Sequence, residues 1–322
     1  PWSALLLCGT LALQGCSLWP RQPPTDDETN TTTNAATAAA QATFSLDVKA
    51  PDTVRETLER HLELQRFRQL PDLQAEELRR LLHAADANVR ELLGTLGYFA
   101  PDITISLREA PADAAAPTPP YAVTITVEPG PQTRIASADI RFTEGAEAEP
   151  DARVRQLERV QRNWALPEGS AFTQSGWSSA KSAGLRQLQA RRYPSASITH
   201  SRAEVDADTQ QAALSVTYDP GPAYRFGPLK VQGNERYDPD GARRLARLPT
   251  GTVYDEAEML DAQQRLASSG YYDAVFLTLD TDSPTPQAAP VIAQVREAKL
   301  QKLVFGVGVS TDSGPRLSID HT

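Results

Sequence analysis

The feature that most constrains this chain is an internal repeat. Leu96-Gly97-Tyr98-Phe99-Ala100-Pro101-Asp102-Ile103-Thr104-Ile105 resembles Arg191-Arg192-Tyr193-Pro194-Ser195-Ala196-Ser197-Ile198-Thr199, and also Ser269-Gly270-Tyr271-Tyr272-Asp273-Ala274-Val275-Phe276-Leu277. In each copy a helix end meets an aromatic step and then an alternating strand. A second phrase recurs as Glu128-Pro129-Gly130-Pro131 and Asp219-Pro220-Gly221-Pro222. Proline fixes φ and glycine admits positive φ, so each phrase is a tight turn between strands. The period is roughly 80–90 residues, enough for one small domain per copy.

One unit can be read residue by residue. Phe44, Leu46 and Val48 alternate as in a half-buried strand. Val54, Leu58 and Leu62 then stripe one face of a helix that is expected to end at Pro71. Leu78, Leu81, Leu82, Ala85, Val89, Leu92, Leu93 and Leu96 make a second, stronger stripe, closed by Gly97. Ile103, Ile105 and Leu107 alternate as a strand, and Val123, Ile125 and Val127 as another after a Pro/Ala-rich loop. The order is strand, helix, helix, strand, strand. In the second unit the corresponding segments are 135–142, a helix opened by Val154, Leu157 and Val160, a helix over 177–188, and strands over 197–205 and 212–218. In the third they are 224–231, 238–248, 255–268, 274–280 and 291–296, with Gly233-Asn234 as a turn.

Composition excludes several functions. With 40% hydrophobic and 23% charged residues the chain can build cores, so wholesale disorder is excluded. Against 32 Lys and Arg stand 41 Asp and Glu, a formal charge of −9, which argues against a nucleic-acid partner. The two cysteines, Cys8 and Cys16, both fall at the start, and the four histidines form no His-x-x-x-His pair. Thiol and metal chemistry are disfavoured, and no cofactor is expected.

The two ends differ from the units. Residues 4–13 are apolar and uncharged, shorter than the roughly 20 residues of a membrane span, and match the core of an export signal. Leu13-Gln14-Gly15-Cys16 resembles a bacterial lipobox, with Cys16 as the candidate lipidation site. The alternative is an ordinary export signal with an incidental cysteine. Residues 17–43, rich in Thr and Ala and poor in large apolar residues, read as a disordered tether. At the other end Leu303, Phe305, Val307 and Val309 alternate with Val304, Gly306, Gly308 and Ser310, and Leu317 and Ile319 alternate with polar residues after a turn over 311–315. Apolar against small or polar is the dyad pattern of a transmembrane barrel strand. Two strands cannot close a barrel, so we expect the chain to be a piece of a longer protein. The alternative is a soluble edge hairpin.

Export signal, three strand-helix-helix-strand-strand units and a barrel-like hairpin together resemble the POTRA domains of the Omp85 superfamily. Gly97-Tyr98-Phe99 and Gly270-Tyr271-Tyr272 are typical of those domains, whereas Arg192-Tyr193-Pro194 departs from the pattern. Three units, rather than two or five, resemble the TamA family, the outer-membrane subunits of the translocation and assembly module. The resemblance implies an α+β chain: signal 1–16, tether 17–43, POTRA domains at 44–130, 131–221 and 222–299, and the start of a truncated β-barrel at 300–322. It implies a bacterial outer-membrane location with this region in the periplasm, and a non-enzymatic role in autotransporter or outer-membrane protein insertion. The implied partners are a TamB-like inner-membrane-anchored protein, unfolded outer-membrane or autotransporter clients, and outer-membrane lipid through the missing barrel. A part in phospholipid transport is implied as well. The rival readings are a two-partner secretion transporter of the same superfamily and a periplasmic lipoprotein scaffold with no barrel.

Catalytic motifs are weak. Gly306-x-Gly308 lacks the third glycine of a dinucleotide loop and precedes a turn. Gly176-Trp177-Ser178-Ser179-Ala180 echoes a nucleophile elbow but sits at an expected helix start without a preceding strand. Trp164 and Trp177 read as core, and the histidines as surface or boundary residues. A three-stranded sheet nevertheless offers edges to which an extended segment can add through main-chain hydrogen bonds. The candidate edges are 102–107, 197–204 and 274–279. The first is the candidate partner site: Ile103, Ile105 and Leu107 are expected to face the helices, leaving the backbone of Asp102, Thr104 and Ser106 for an incoming strand.

Overall fold

The computed structural model describes residues 43–70, 73–109, 119–144, 150–299, 303–310 and 314–321. The expected signal, Cys16 and all of the tether but Thr43 lie outside the described residues.

Three sheets repeat one topology. In the first unit the elements are β1 (Phe44–Lys49), α1 (Asp52–His61), α2 (Ala75–Thr95), β2 (Asp102–Glu109) and β3 (Tyr121–Glu128). In the second they are β4 (Arg134–Phe142), α3 (Pro150–Arg162), α4 (Gln174–Gln189), β5 (Ser197–Asp206) and β6 (Gln211–Asp219). In the third they are β7 (Phe226–Gln232), α5 (Pro239–Ala246), α6 (Glu256–Ala267), β8 (Tyr272–Leu279) and β9 (Ala289–Glu297). The last strand of each unit lies in the centre, with strand orders β1-β3-β2, β4-β6-β5 and β7-β9-β8. The first strand pairs with it in parallel and the second antiparallel. The parallel pairing follows from the two-helix crossover, which returns the chain to the end where it started.

Each sheet buries one face under its own two helices. Phe44, Leu58, Leu78, Val89, Leu93 and Ile125 centre the first core. Trp177, Leu188, Tyr193, Leu214 and Tyr218 centre the second, with Trp164 at its margin and 6.0 Å from Trp177. Phe226, Ala246, Tyr254, Leu266 and Ala293 centre the third. Both tryptophans therefore belong to packing. Thr173 caps α4 by accepting the Gly176 N–H at 3.0 Å, so Gly176-Trp177-Ser178 is an ordinary helix start. His61, His83 and His200 are exposed.

One element differs from the sequence expectation. The first helix stops at His61 instead of continuing towards Pro71, and Leu62 turns extended at φ −62° and ψ 126°. A short 3-10 turn, Glu63–Phe67, follows. Leu62 and Leu64 lie two positions apart, which on a helix would face them in opposing directions. Breaking the helix lets both enter the core, at 2% and 3% exposure.

The units meet through their aromatic steps. At the end of α2 the Tyr98 N–H reaches the Leu93 carbonyl at 3.0 Å and the Gly97 N–H reaches that of Gly94 at 3.1 Å, a Schellman closure with Gly97 at φ +89°. The Gly97 carbonyl then accepts the Thr133 N–H at 2.9 Å, and the Thr133 carbonyl accepts that of Phe172 at 2.9 Å. Phe99 and Phe172 close over this joint at 6.0 Å.

The final two strands, β10 (Leu303–Ser310) and β11 (Gly314–His321), form a separate antiparallel pair. Phe305 and Ile319 face each other in register and are 68% and 58% exposed.

Candidate docking edge

The expected partner residues lie along an open sheet edge. β2 pairs with β3 on one side only, from Asp102 opposite Glu128 to Leu107 opposite Val123 and beyond to Glu109. Ile103, Ile105 and Leu107 are half-buried against the first core, and Asp102, Thr104 and Ser106 are exposed. The alternation sets this placement, because successive side chains of a strand leave opposite faces.

The structure adds a wall that the sequence reading missed. Between β2 and α2 runs a groove of about 880 Å³, with Ile103, Ile105 and Leu107 on one side and Arg79, Leu82 and His83 on the other. Leu82 stands four residues after Leu78 but sits one step off the buried stripe, half-exposed towards the groove. Its signal was present as an apolar residue too many for the core face of α2. Asp86 fixes the groove's base: its carboxylate takes Arg90 Nε at 2.8 Å, and Arg90 Nη1 donates to the Pro101 carbonyl at 3.2 Å. The hydrogen bond to Asp86 pushes the Arg90 pKa up, so this strut stays charged.

The three edges are not equivalent. β5 skips Thr199 between Ile198 and His200, and β8 skips Asp273 between Tyr272 and Ala274. Such bulges kink a strand and interrupt the edge locally, leaving unbroken runs over 200–206 in β5 and 274–279 in β8. β2 carries no register shift along its whole length. Of these three strands it alone is unbroken from end to end, and the groove beside it mixes apolar Leu82, Ile103, Ile105 and Leu107 with charged Asp86, Arg108 and Glu109.

Among the described residues no group of three His, Cys, Asp or Glu could hold a metal ion, and no helix is long and apolar enough to cross a membrane. The sheet-and-two-helix unit with an open edge recurs three times and defines a class of small tandem domain.

Comparison with known families gives this class a name for two of the three units. Residues 48–129 match the model described as POTRA domain TamA domain 1, and residues 224–298 match a POTRA model described as surface antigen variable number repeat. The first and third units are thus similar to POTRA domains. Among solved structures, POTRA domains 3–5 of Haemophilus influenzae BamA are 22% identical, with 80% of this chain and 96% of that one covered at a TM-score of 0.44. POTRA domains 1–3 of Omp85 from Anabaena are 15% identical, with 80% and 96% covered at 0.29. The chain spans 33% of BamA from Haemophilus ducreyi lacking POTRA domains 1–3, at 18% identity, 56% coverage of this chain and a TM-score of 0.43.

Proposed function

We propose that the first unit captures an extended segment of another protein, which adds to β2 as a fourth strand. The carrying observation is that β2 is unbulged from Asp102 to Glu109 and flanked by a groove, whereas β5 and β8 are each bulged near their start. Main-chain hydrogen bonds would supply affinity without requiring a particular sequence, and alternate side chains of the incoming strand would enter the groove against Leu82, Ile103 and Ile105. Asp102, Thr104 and Ser106 are the residues whose backbone we assign to that strand.

The POTRA matches support a setting for this reading in which the chain is part of an assembly or translocation factor of the bacterial outer membrane, acting from the periplasm. Within it the chain would serve autotransporter or outer-membrane protein insertion, with a TamB-like inner-membrane-anchored partner. The three domains would span 44–130, 131–221 and 222–299, and β10–β11 would open the barrel. The exposed, paired Phe305 and Ile319 support that last point, since such side chains are at home against lipid.

Two variants test the edge. Thr104→Pro removes one main-chain donor and sets a ring in the path of an incoming strand. His83→Trp narrows the groove from α2 without touching the strand. Both are expected to keep the circular dichroism of the wild type and to recover less of the partner's periplasmic segment in a pull-down. Full recovery by a folded Thr104→Pro and by His83→Trp would remove β2 from the mechanism.

A further inference from the structure

We infer that the joint between the second and third units carries a binding site for a phosphate-bearing anion. A cavity of about 390 Å³ lies there, and Arg155, Arg159, Arg191 and Arg192 all line it. The single carboxylate on its wall is Asp255. A chain of net charge −9 thus gathers four arginines around one acid.

That acid is already engaged. The Asp255 side chain caps α6 by accepting the Ala257 N–H at 3.1 Å, and Arg191 Nε stands 3.8 Å from it. Gln156, also on the wall, spends its amide on the Arg191 carbonyl at 2.6 Å. Arg155 and Arg159 lie one turn apart on the exposed face of α3, and among the described residues neither has a carboxylate partner. Glu158, between them in sequence, pairs instead with Arg162 at 3.5 Å.

Arg191 and Arg192 serve the joint itself, but folding gives no reason for Arg155 and Arg159 beside them. Like charges four apart on a helix repel each other. The helix dipole favours Arg159 in the last turn of α3, but does not extend to Arg155 in the second turn. Arg192 is 8% exposed, so the cavity's inner wall is shielded from water and its field is less screened. A planar guanidinium suits two oxygens at once, and several around one cavity suit an anion with three. A phosphate monoester brings three such oxygens and a charge of about −1.5 to −2, against about −1 for a carboxylate. The ligand would also bridge α3 to the strand-like link Arg191–Asp255, so binding would stiffen the joint. Free phosphate monoesters and the headgroup of phosphatidic acid share this chemistry.

The test uses the whole chain. Inorganic phosphate and glycerol phosphate are titrated calorimetrically at constant ionic strength, and flotation is measured with phosphatidylcholine vesicles with and without phosphatidic acid. The paired variant Arg155→Gln/Arg159→Gln is compared with a charge-matched control in the first unit, Arg60→Gln/Arg80→Gln; all four side chains are exposed. Saturable binding that the first pair weakens about tenfold or more, and the control leaves unchanged, is the expected result. Binding of the small phosphates assigns a free ester as ligand; vesicle capture with the same dependence assigns a lipid headgroup. No saturable binding of either probe, or an equal loss in the control, would overturn the site.

Discussion

The two joints share two backbone hydrogen bonds but differ at the strained step: the Gly97 N–H stays on the Gly94 carbonyl of its own helix end, whereas the Arg192 N–H crosses to the Tyr254 carbonyl at 2.9 Å. At the first joint Gly97 offers its carbonyl to Thr133, whose own carbonyl takes the Phe172 N–H. At the second Arg192 offers its carbonyl to Tyr224, whose carbonyl takes the Tyr254 N–H, at 2.8 and 2.9 Å. Both lead residues have positive φ, +89° and +70°. The frame requires left-handed backbone at the step, and the second joint holds it with a non-glycine residue. Contacts explain the difference. A Cβ on Gly97 would lie 2.1 Å from the Phe172 carbonyl oxygen, a fixed backbone atom. Arg192 has a side chain in place at the equivalent step, so the second joint leaves room where the first does not. The third step, Gly270 at φ +80°, has nothing within 4 Å of its would-be Cβ.

The largest effect is therefore expected at Gly97. Gly97→Val combines left-handed strain with a backbone clash, and should destabilise the chain by about 2 kcal/mol or more. It should also loosen the first joint, which small-angle scattering would report as a broader distance distribution. A Gly97→Val protein with unchanged melting and scattering would show that the joint has slack which the 2.1 Å approach denies.

Much of this was legible in the sequence, and the parts that were not share a cause. The alternation at Ile103, Ile105 and Leu107 and the stripe from Leu78 to Leu93 are local patterns, and they carried the element order and the position of β2. Gly97 was readable as a helix closure because glycine advertises positive φ. Arg192 carries no such signal, because only the Tyr224 and Tyr254 backbone around it imposes the conformation. The bulge at Gly227-Pro228 in β7 has a sequence cue, since both residues weaken a strand. Those at Thr199 and Asp273 have none, and they are what sets β5 and β8 apart from β2. The end of α1 at His61 was hidden because Leu62 continues its stripe; the competing pull of Leu64 appears only in the packed core.

The third unit holds its end by charge. The Glu297 carboxylate accepts the N–H groups of Glu235, Arg236 and Tyr237, each at 2.9 Å, and pairs with Arg236 Nε at 2.9 Å. Burial pushes its pKa up, but these hydrogen bonds outweigh burial and hold it down at about 2. A depressed pKa means that the contribution to stability is complete above the ordinary carboxylate value of 4.5, and is lost as pH falls through about 2. Acid titration of the wild type should show the third unit weakening over that window, and Glu297→Gln should start lower and lose that part of the slope. An unchanged slope in Glu297→Gln would assign the acid sensitivity elsewhere; Asp219, held down chiefly by the Thr143 hydroxyl, is the next carboxylate to test.

Gly270→Ala isolates backbone strain from contact. With open space around it, the substitution should cost only the left-handed penalty less glycine's entropy, roughly 1 kcal/mol. Comparison with Gly97→Ala then measures the Phe172 clash directly, as the excess of the first-joint value over the third-step value.

The smallest effect is expected at the second joint, as a difference between two variants. Arg192→Ala and Arg192→Gly remove the same guanidinium and the same buried stem, so their losses of side-chain interaction cancel in comparison. What remains is the backbone: alanine keeps the strain of φ +70°, and glycine relieves it at the cost of a more disordered unfolded chain. Glycine should therefore be the more stable of the two by roughly 0.5–1 kcal/mol, read as the gap between their denaturant midpoints at equal slope. The sign matters more than the size. If alanine equals or exceeds glycine, the frame formed by Tyr224 and Tyr254 accommodates an ordinary residue without strain. If glycine wins, both joints carry the same left-handed strain at the step, and the arginine at the second persists against its own local preference, on the wall of the cavity it lines with Arg155 and Arg159.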